Sequence, residues 1–420
     1  MRPIYSFLLY LLTPYLLLRL WWKGRKLPAY RERISERFLL DQRPTKPIEI
    51  WVHAVSLGEV IAVTPLVDSL LSKNYSVLIT TMTPTGAERV RQRFGERLTH
   101  RYVPYDLPWV VKRFYSRVKP KVAIFVETEL WPNLTYYARR AKIPLFLVNA
   151  RLSERSYQGY KKAKFLFGPL LKQFNHILAQ AADDAKRFTA LGAPSEIVQV
   201  VGNMKFDLQT QNINSETFVE LKNKWGKERV VILIASTHDN EEQQILSELR
   251  ALQSQIKDVV LLIAPRHPER FQKVYQLCLS MGFNTGLRSQ PNGLSENNEV
   301  VVLDSLGELL GFYQISDYAF VGGSLVPVGG HNVLEPIAMK VPVLNGPHVH
   351  NFKTICRDLQ TAGAIELVAN PQELVDRILS LHNDKERREI LVRNATQVLE
   401  SNKGTVVQYL EKIDAVLQQA

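Results

Sequence analysis

IEIWVHAVSLGEV, Ile48 to Val60, is the stretch from which the fold of this chain is read. Its first half is an apolar, β-branched run of strand length, and its second half sets Ser56-Leu57-Gly58-Glu59 ahead of a longer apolar stretch. Ser-x-x-Glu is a capping-box pattern: Ser56 would accept from the Glu59 N–H, and the Glu59 carboxylate would reach back to the N–H of Ser56. An apolar strand feeding a capped helix opens a βαβ unit. Glu59 is then either a cap or a reacting carboxylate, and Gly58 beside it leaves room for a ligand.

Outward from there the rhythm repeats. YSVLITT, KVAIFVET, PLFLVNA, HILAQ and EIVQVVGN follow at intervals filled by helical patterns, the signature of a parallel sheet covered on both faces. Polar, irregular sequence runs from Gln209 through Asn212 and Asn214, after which RVVILIAS, DVVLLIAP, EVVVLD, DYAFVGGS, VPVLNG and AIELVA form a second series. A chain of 420 residues exceeds the ~250–300 at which single cores stop growing, so two domains are expected. The divisions read from these patterns are a membrane-anchoring and basic segment over 1–46, an α/β domain over 47–211, a second over 212–400, and a C-terminal helix over 401–420 that packs back on the first domain. Two doubly wound sheets would face a central cleft lined by the loops after each strand.

The 53 Lys and Arg against 41 Asp and Glu, a formal +12, favour an anionic partner. Outside the N-terminal segment there is no clustered basic and aromatic stripe, which argues against nucleic acid. Cys278 and Cys356 have neither disulfide-framework nor zinc spacing. Ile4 to Leu18, IYSFLLYLLTPYLLL, is nearly all apolar and is followed by Arg19, Trp21, Trp22 and a basic run with Lys23, Arg25, Lys26, Arg31, Arg33 and Arg37. Fifteen helical residues cover roughly 22 Å, marginal for a ~30 Å hydrocarbon core. The pattern reads as a membrane-associating helix, with tryptophans at headgroup depth, arginines on anionic lipid and the body on the cytoplasmic side.

The unusual residues fall after the apolar runs. Glu127 and Glu129 follow KVAIFV, pointing the same way if the strand stays extended, although Glu129 is equally an acid at a helix N-terminus. Arg151 and Arg155 follow the next strand, and Lys205 and Asp207 a later one, where surface ion pairs are the simple alternative. In the second half, Thr237 and His238 precede an acidic helix start, and Pro265-Arg266-His267-Pro268 holds a guanidinium in a stiff loop suited to a phosphate. FVGGSLVPVGGHNVLEP, Phe320 to Pro336, has two glycine pairs running into Asn332 and Glu335, a pattern for close phosphate approach at a helix start. It is neither GxGxxG nor GxxxxGK[ST], and no DxD or HExxH occurs; His348 and His350 lack a third ligand. No metal and no cofactor is expected.

Taken together, HAVSLGE, TTMTPTG, VETELWPN, NARLSERS, GNMKFD, ASTHDNEE, PRHPERF, GGSLVPVGGHNVLEP and GPHVHNF, in that order, resemble the 3-deoxy-D-manno-octulosonic acid (Kdo) transferases of Gram-negative lipopolysaccharide synthesis. The resemblance implies a GT-B glycosyltransferase that moves Kdo, with inversion and without metal, from CMP-Kdo to the tetra-acyl lipid A precursor at the cytoplasmic face of the inner membrane, among anionic lipids. It implies Glu59 as general base and Glu127 and Lys205 as transition-state stabilisers. It places CMP on Pro265, Arg266, Gly307, Glu308, Asn332, Val333, Leu334 and Glu335, making the 47–211 domain acceptor-binding and the 212–400 domain CMP-sugar-binding. Two alternatives stay open: another GT-B enzyme using or epimerising a UDP-sugar, and a membrane-bound nucleotide-binding scaffold without turnover.

Overall fold

Seven strands of the first half, β1 (Ile50–His53), β2 (Val77–Thr81), β3 (Thr99–Tyr102), β4 (Val122–Val126), β5 (Leu145–Ala150), β6 (His176–Ala179) and β7 (Val198–Val200), form one sheet. Its order is β3-β2-β1-β4-β5-β6-β7 and every pairing is parallel. The second half builds another parallel sheet from β8 (Val230–Thr237), β9 (Val259–Pro265), β10 (Thr285–Leu287), β11 (Val300–Val302), β12 (Tyr318–Val321), β13 (Val343–Asn345) and β14 (Glu366–Leu367), in the order β10-β11-β9-β8-β12-β13-β14. This computed structural model describes residues 2–25, 27–40, 47–208, 215–226 and 228–418.

Continuous apolar runs are what a sheet buried on both faces requires, because alternate side chains must serve opposite cores. Trp51, Ala123, Phe125, Leu145 and Leu147 pack on one face of the first sheet, and Ile50, Val52, Ile124, Phe146 and Val148 on the other. The second sheet divides in the same way, with Ile232, Ile234, Leu261 and Phe320 opposite Val231, Leu233, Leu262 and Ala319.

The chain forms two compact units: Met1–Asp207 joined by Asn402–Ala420, and Leu208–Ser401. The C-terminal helix, Thr405–Leu417, contributes Val406, Tyr409 and Ile413 to the first unit's core. The polar boundary read at residues 209–214 lies outside the described residues, as do Lys26 and the stretch 41–46.

The N-terminal helix Arg2–Lys23 is docked at its start. Arg2 Nη1 and Ser6 Oγ meet the Asn133 side chain at 2.9 and 3.2 Å, and the Arg2 guanidinium lies 3.8 Å from the Tyr136 ring centroid. Most of its circumference is exposed and apolar. The basic run behind it departs from the expectation that its arginines meet lipid. Arg37 is only 1% exposed, donates through Nη2 to the Met82 carbonyl and lies over the Tyr102 ring, and Arg33 pairs with Glu36 at 2.7 Å. Local partners, rather than headgroups, take these two charges.

Candidate active site

In a sheet of order 3-2-1-4-5, the connections leave β1 and β4 in opposite senses, and a crevice opens beyond their carboxyl ends. Glu59 follows β1, in the first turn of the helix Leu57–Ser72, and Glu127 follows β4 directly. Ser56 caps that helix, accepting from the Glu59 N–H at 3.3 Å. The Glu59 carboxylate departs from the capping-box expectation: it accepts from the N–H of Val55, one residue further back than Ser56, and from the Ser56 hydroxyl, both at 2.8 Å. Burial, and then the charges of Glu129 and Glu127, push this carboxyl up to about 8. A helix cap alone would gain nothing from such neighbours. At Gly58 an added Cβ would meet only Ser56 Oγ, at 3.9 Å, so the space beside Glu59 is open.

The strand does not stay extended past Val126. Glu127 takes a left-handed backbone, φ 58°, and so does not share Glu129's direction by strand alternation. A turn brings the carboxylates into electrostatic contact instead. Glu127 is raised by burial, against the opposing pull of Lys205 and Arg151; Glu129 is raised by burial and by Glu127, while the Trp131 indole N–H donates to it. Glu129 therefore belongs to the acidic cluster, a role that its sequence position before a helix leaves ambiguous. His53, at the end of β1, is fully buried and held down to about 3 by burial. Its Nδ1 lies 3.1 Å from Thr80 Oγ1, and its Nε2 lies 3.9 Å from Glu129 without a hydrogen-bond partner among the described residues.

Lys205 sits in the short turn Met204–Phe206, and two other segments hold that turn in place. Asn149, at the end of β5, accepts from the Met204 N–H at 3.2 Å, and Asp207 accepts from the N–H groups of Gly404 and Val406 at the start of the C-terminal helix. Tyr409 of the same helix takes the Asn149 N–H at 3.0 Å. The surface ion pair considered for Asp207 is thus replaced by a helix cap. Burial lowers the Lys205 pKa, and Glu127 offsets part of that.

In the second unit the residues after β8, β9, β11 and β12 also stand at adjacent strand ends. Arg266 follows β9 and is exposed, its N–H donating to the Thr237 carbonyl at 3.0 Å, while Pro265 is buried at the strand end. Glu308 takes Arg288 Nη2 at 2.9 Å and the Ser305 hydroxyl, beside Gly307 at φ 88°. Asn332 donates to Glu335 at 3.0 Å and accepts from the Leu334 N–H, while Val333 and Leu334 are fully buried. His331 and His238 face each other with Nε2 atoms 2.8 Å apart. Burial, then Arg266 and the other imidazoles, hold His331 down to about 3, so the pair is neutral and shares one N–H as donor.

The glycine-rich loop departs from the phosphate-cradle reading. Buried Glu241 accepts the N–H groups of Gly323, Ser324 and Leu325 at 2.7, 3.0 and 3.0 Å, and those of Gly329 and Gly330 both donate to the Gly323 carbonyl. The helix that follows, Leu334–Ala338, has only five residues. Here the glycines serve positive φ values of 66°, 110° and 73° at 323, 329 and 330. Gly322 serves a close approach in which a Cβ would stand 2.8 Å from the Ser236 carbonyl. Glu241, which the sequence shows only as one acid in a helix start, organises the loop.

Residues 32–208 match the family described as 3-deoxy-D-manno-octulosonic-acid transferase (kdotransferase), and residues 217–398 match glycosyl transferases group 1. Over 422 residues, and 99% of each chain, the sequence is 40% identical to the 3-deoxy-D-manno-octulosonic acid transferase of Haemophilus influenzae. It is 31% identical to the enzyme of the same name from Bordetella pertussis, over 98% of this chain and 99% of that one. A crystal structure of a glycosyltransferase from Rickettsia africae shares the fold at a TM-score of 0.55 and 14% identity, covering 90% of this chain and 100% of that one. Two parallel seven-stranded sheets with such neighbours are the GT-B architecture.

Proposed function

The chain belongs to the 3-deoxy-D-manno-octulosonic acid (Kdo) transferase family, and from that premise we propose that it moves Kdo from CMP-Kdo to the tetra-acyl lipid A precursor, inverting the anomeric centre and using no metal. The first unit takes the acceptor and the second takes CMP-Kdo. The observation that carries the acceptor assignment is the cluster of Glu59, Glu127 and Glu129 after β1 and β4, with Glu59 raised to about 8.

A sugar hydroxyl is a weak nucleophile at neutral pH, and a base works best when its pKa lies near the operating pH. The Glu59 carboxylate takes the hydroxyl proton as the oxygen attacks the anomeric carbon and the bond to the CMP phosphate breaks. One displacement with no enzyme-bound intermediate inverts that carbon. The leaving phosphate gains charge, which cations stabilise more in the transition state than before it. Arg266 meets that phosphate in the second unit, and Lys205, with Glu127 fixing it, supplies positive charge in the first. Gly307, Glu308 and the segment Asn332 to Glu335, with Pro265, seat the nucleotide. The exposed apolar N-terminal helix fits a site of action on the cytoplasmic face of the inner membrane, among anionic lipids.

Mass analysis of products, with CMP-Kdo or UDP-sugars as donors and the tetra-acyl disaccharide as acceptor, tests the reading. A Kdo adduct from CMP-Kdo that persists with chelator present is expected; turnover only with a UDP-sugar, or only with added divalent cation, would overturn it.

A further inference from the structure

Between the N-terminal helix and the body of the first unit lies a groove of about 400 Å³, within the size range of ligand pockets. One side is a stripe of the helix, Tyr5, Leu9, Leu16 and Leu20, at helical spacing. The facing wall includes Met82, Leu107, Leu130 and Trp131.

Two of these wall residues also border the carboxylate cluster. The Trp131 indole donates to Glu129 and its ring lies 5.4 Å from that of His53. The Met82 N–H donates to the carbonyl of Val55, the residue whose own N–H is held by Glu59. One residue, Trp131, therefore separates the groove from Glu129, and two, Met82 and Val55, separate it from Glu59.

The outer side of the same helix tells what reaches the groove. Phe7, Leu11, Leu18 and Trp22 are 62, 63, 66 and 68% exposed, an apolar surface far larger than a water-facing helix carries. That surface belongs against acyl chains, so the groove behind it is bordered by lipid.

The charge in the lining is mostly positive. Arg19 and Lys23 contribute to it, and the one acid among the described lining residues, Asp106, has its oxygens taken by the N–H groups of Asn133 and Leu134 at 3.0 and 2.7 Å. An apolar slot edged by cations complements an anionic amphiphile.

We propose that this groove holds one fatty acyl chain of the acceptor, lifted out of the bilayer between the N-terminal helix and the body, so that its sugar is delivered to Glu59. The inference rests on the reading of the first unit as acceptor-binding. It makes the helix a wall of the acceptor site as well as a membrane contact.

The full-length protein in nanodiscs, supplied with CMP-Kdo and a tetra-acyl disaccharide acceptor carrying a diazirine in one acyl chain, tests it. Product formation reports on the Kdo reading separately from where the label falls. Expected is labelling of the groove side, around Leu9, Leu16, Met82 and Trp131, competed by unlabelled acceptor. Labelling confined to the exposed side, around Phe7, Leu11 and Leu18, would overturn the proposal. So would groove labelling by a diazirine phosphatidylglycerol that excess acceptor leaves unchanged, because bulk lipid would then be the occupant. As a second measurement, Leu16→Trp and Leu20→Trp fill the slot and should raise the acceptor KM roughly tenfold. The KM for CMP-Kdo, read on the same preparations, should stay within twofold and so reports that the protein is folded. The outward-facing Leu11→Trp serves as the matched control at wild-type acceptor KM. An acceptor KM unchanged in both groove variants would sink the idea.

Discussion

At the strand ends of the first unit stand three carboxylates that burial, reinforced at Glu59 and Glu129 by neighbouring carboxylates, holds above their ordinary range; at those of the second stand paired neutral imidazoles, an exposed guanidinium and a glycine loop in which Glu241 and the Gly323 carbonyl already take five N–H groups. Both units wind a parallel sheet from its centre outward, so topology does not explain the difference. The first unit keeps electrostatic stress at β1 and β4, where Glu59 can give or take a proton near neutral pH. The second spends buried Glu241 on making a loop rigid. Stress of that kind suits proton transfer, and rigidity suits holding a ligand in place.

The sharpest way to break the comparison is Glu59→Gln. With CMP-Kdo and the acylated acceptor, kcat should fall about 10²–10⁴-fold, and the wild-type limb of kcat/KM that rises toward pH 8 should disappear. Stability should move the other way. The Glu59 carboxyl keeps its proton in the folded chain up to about 8 and loses it in the unfolded chain near its ordinary 4.5, so the folded state loses this advantage as pH rises between those values. At pH 8.5 the variant should therefore melt several degrees higher than wild type, and below pH 4.5 the two should coincide. Equal melting at both pH values would show that Glu59 is not stressed.

Glu241→Ala probes the opposite design. It strands the N–H groups of Gly323, Ser324 and Leu325, each costing about 1–3 kcal/mol when buried and unpaired. Thermal and proteolytic stability of the second unit should drop by several kcal/mol, and an unchanged melting profile would return those N–H groups to the pool available for a ligand.

Lys205→Met should lower kcat roughly 10²-fold with little effect on melting, since Asn149 and Asp207 hold the turn. A large loss of stability with kcat intact would make Lys205 structural. The smallest expected effect is at Gly58→Ala. Helix propensity favours Ala by about 0.5–1 kcal/mol and the added Cβ meets only Ser56 Oγ at 3.9 Å, so melting should hold or rise slightly. The acceptor KM should nevertheless rise a few-fold if the open space admits the sugar; an unchanged KM would show that it does not.

The strands read from apolar runs such as Val77–Thr81 and Val230–Thr237 were legible because a sheet buried on both faces leaves no polar alternation to confuse the pattern. The outermost strands β3, Thr-His-Arg-Tyr, and β10, Thr-Gly-Leu, were not, being short and, in β3, polar. Glu59 and Glu127 stood out after strand runs, whereas nothing in the sequence around His53 or Trp131 marks either as part of a site. The approach of His53 to Glu129 and Trp131 joins segments from different parts of the chain, and no local pattern carries that.

By itself, the sequence determined the two parallel sheets, their order along the chain and the capping of the helix at Ser56, since these follow from the period of apolar side chains and from hydrogen bonds a few residues apart. Only the tertiary structure decided that Glu59 reaches past its cap to Val55, that Glu129 joins the acidic cluster, that Glu241 consumes the glycine loop, and that Asp207 with Tyr409 ties the C-terminal helix to the Lys205 turn. The first depends on how burial settles a carboxylate among nearby donors, and the other three on burial and on distances between remote segments. These set the energy of a charge or an N–H far more than its neighbours in sequence do.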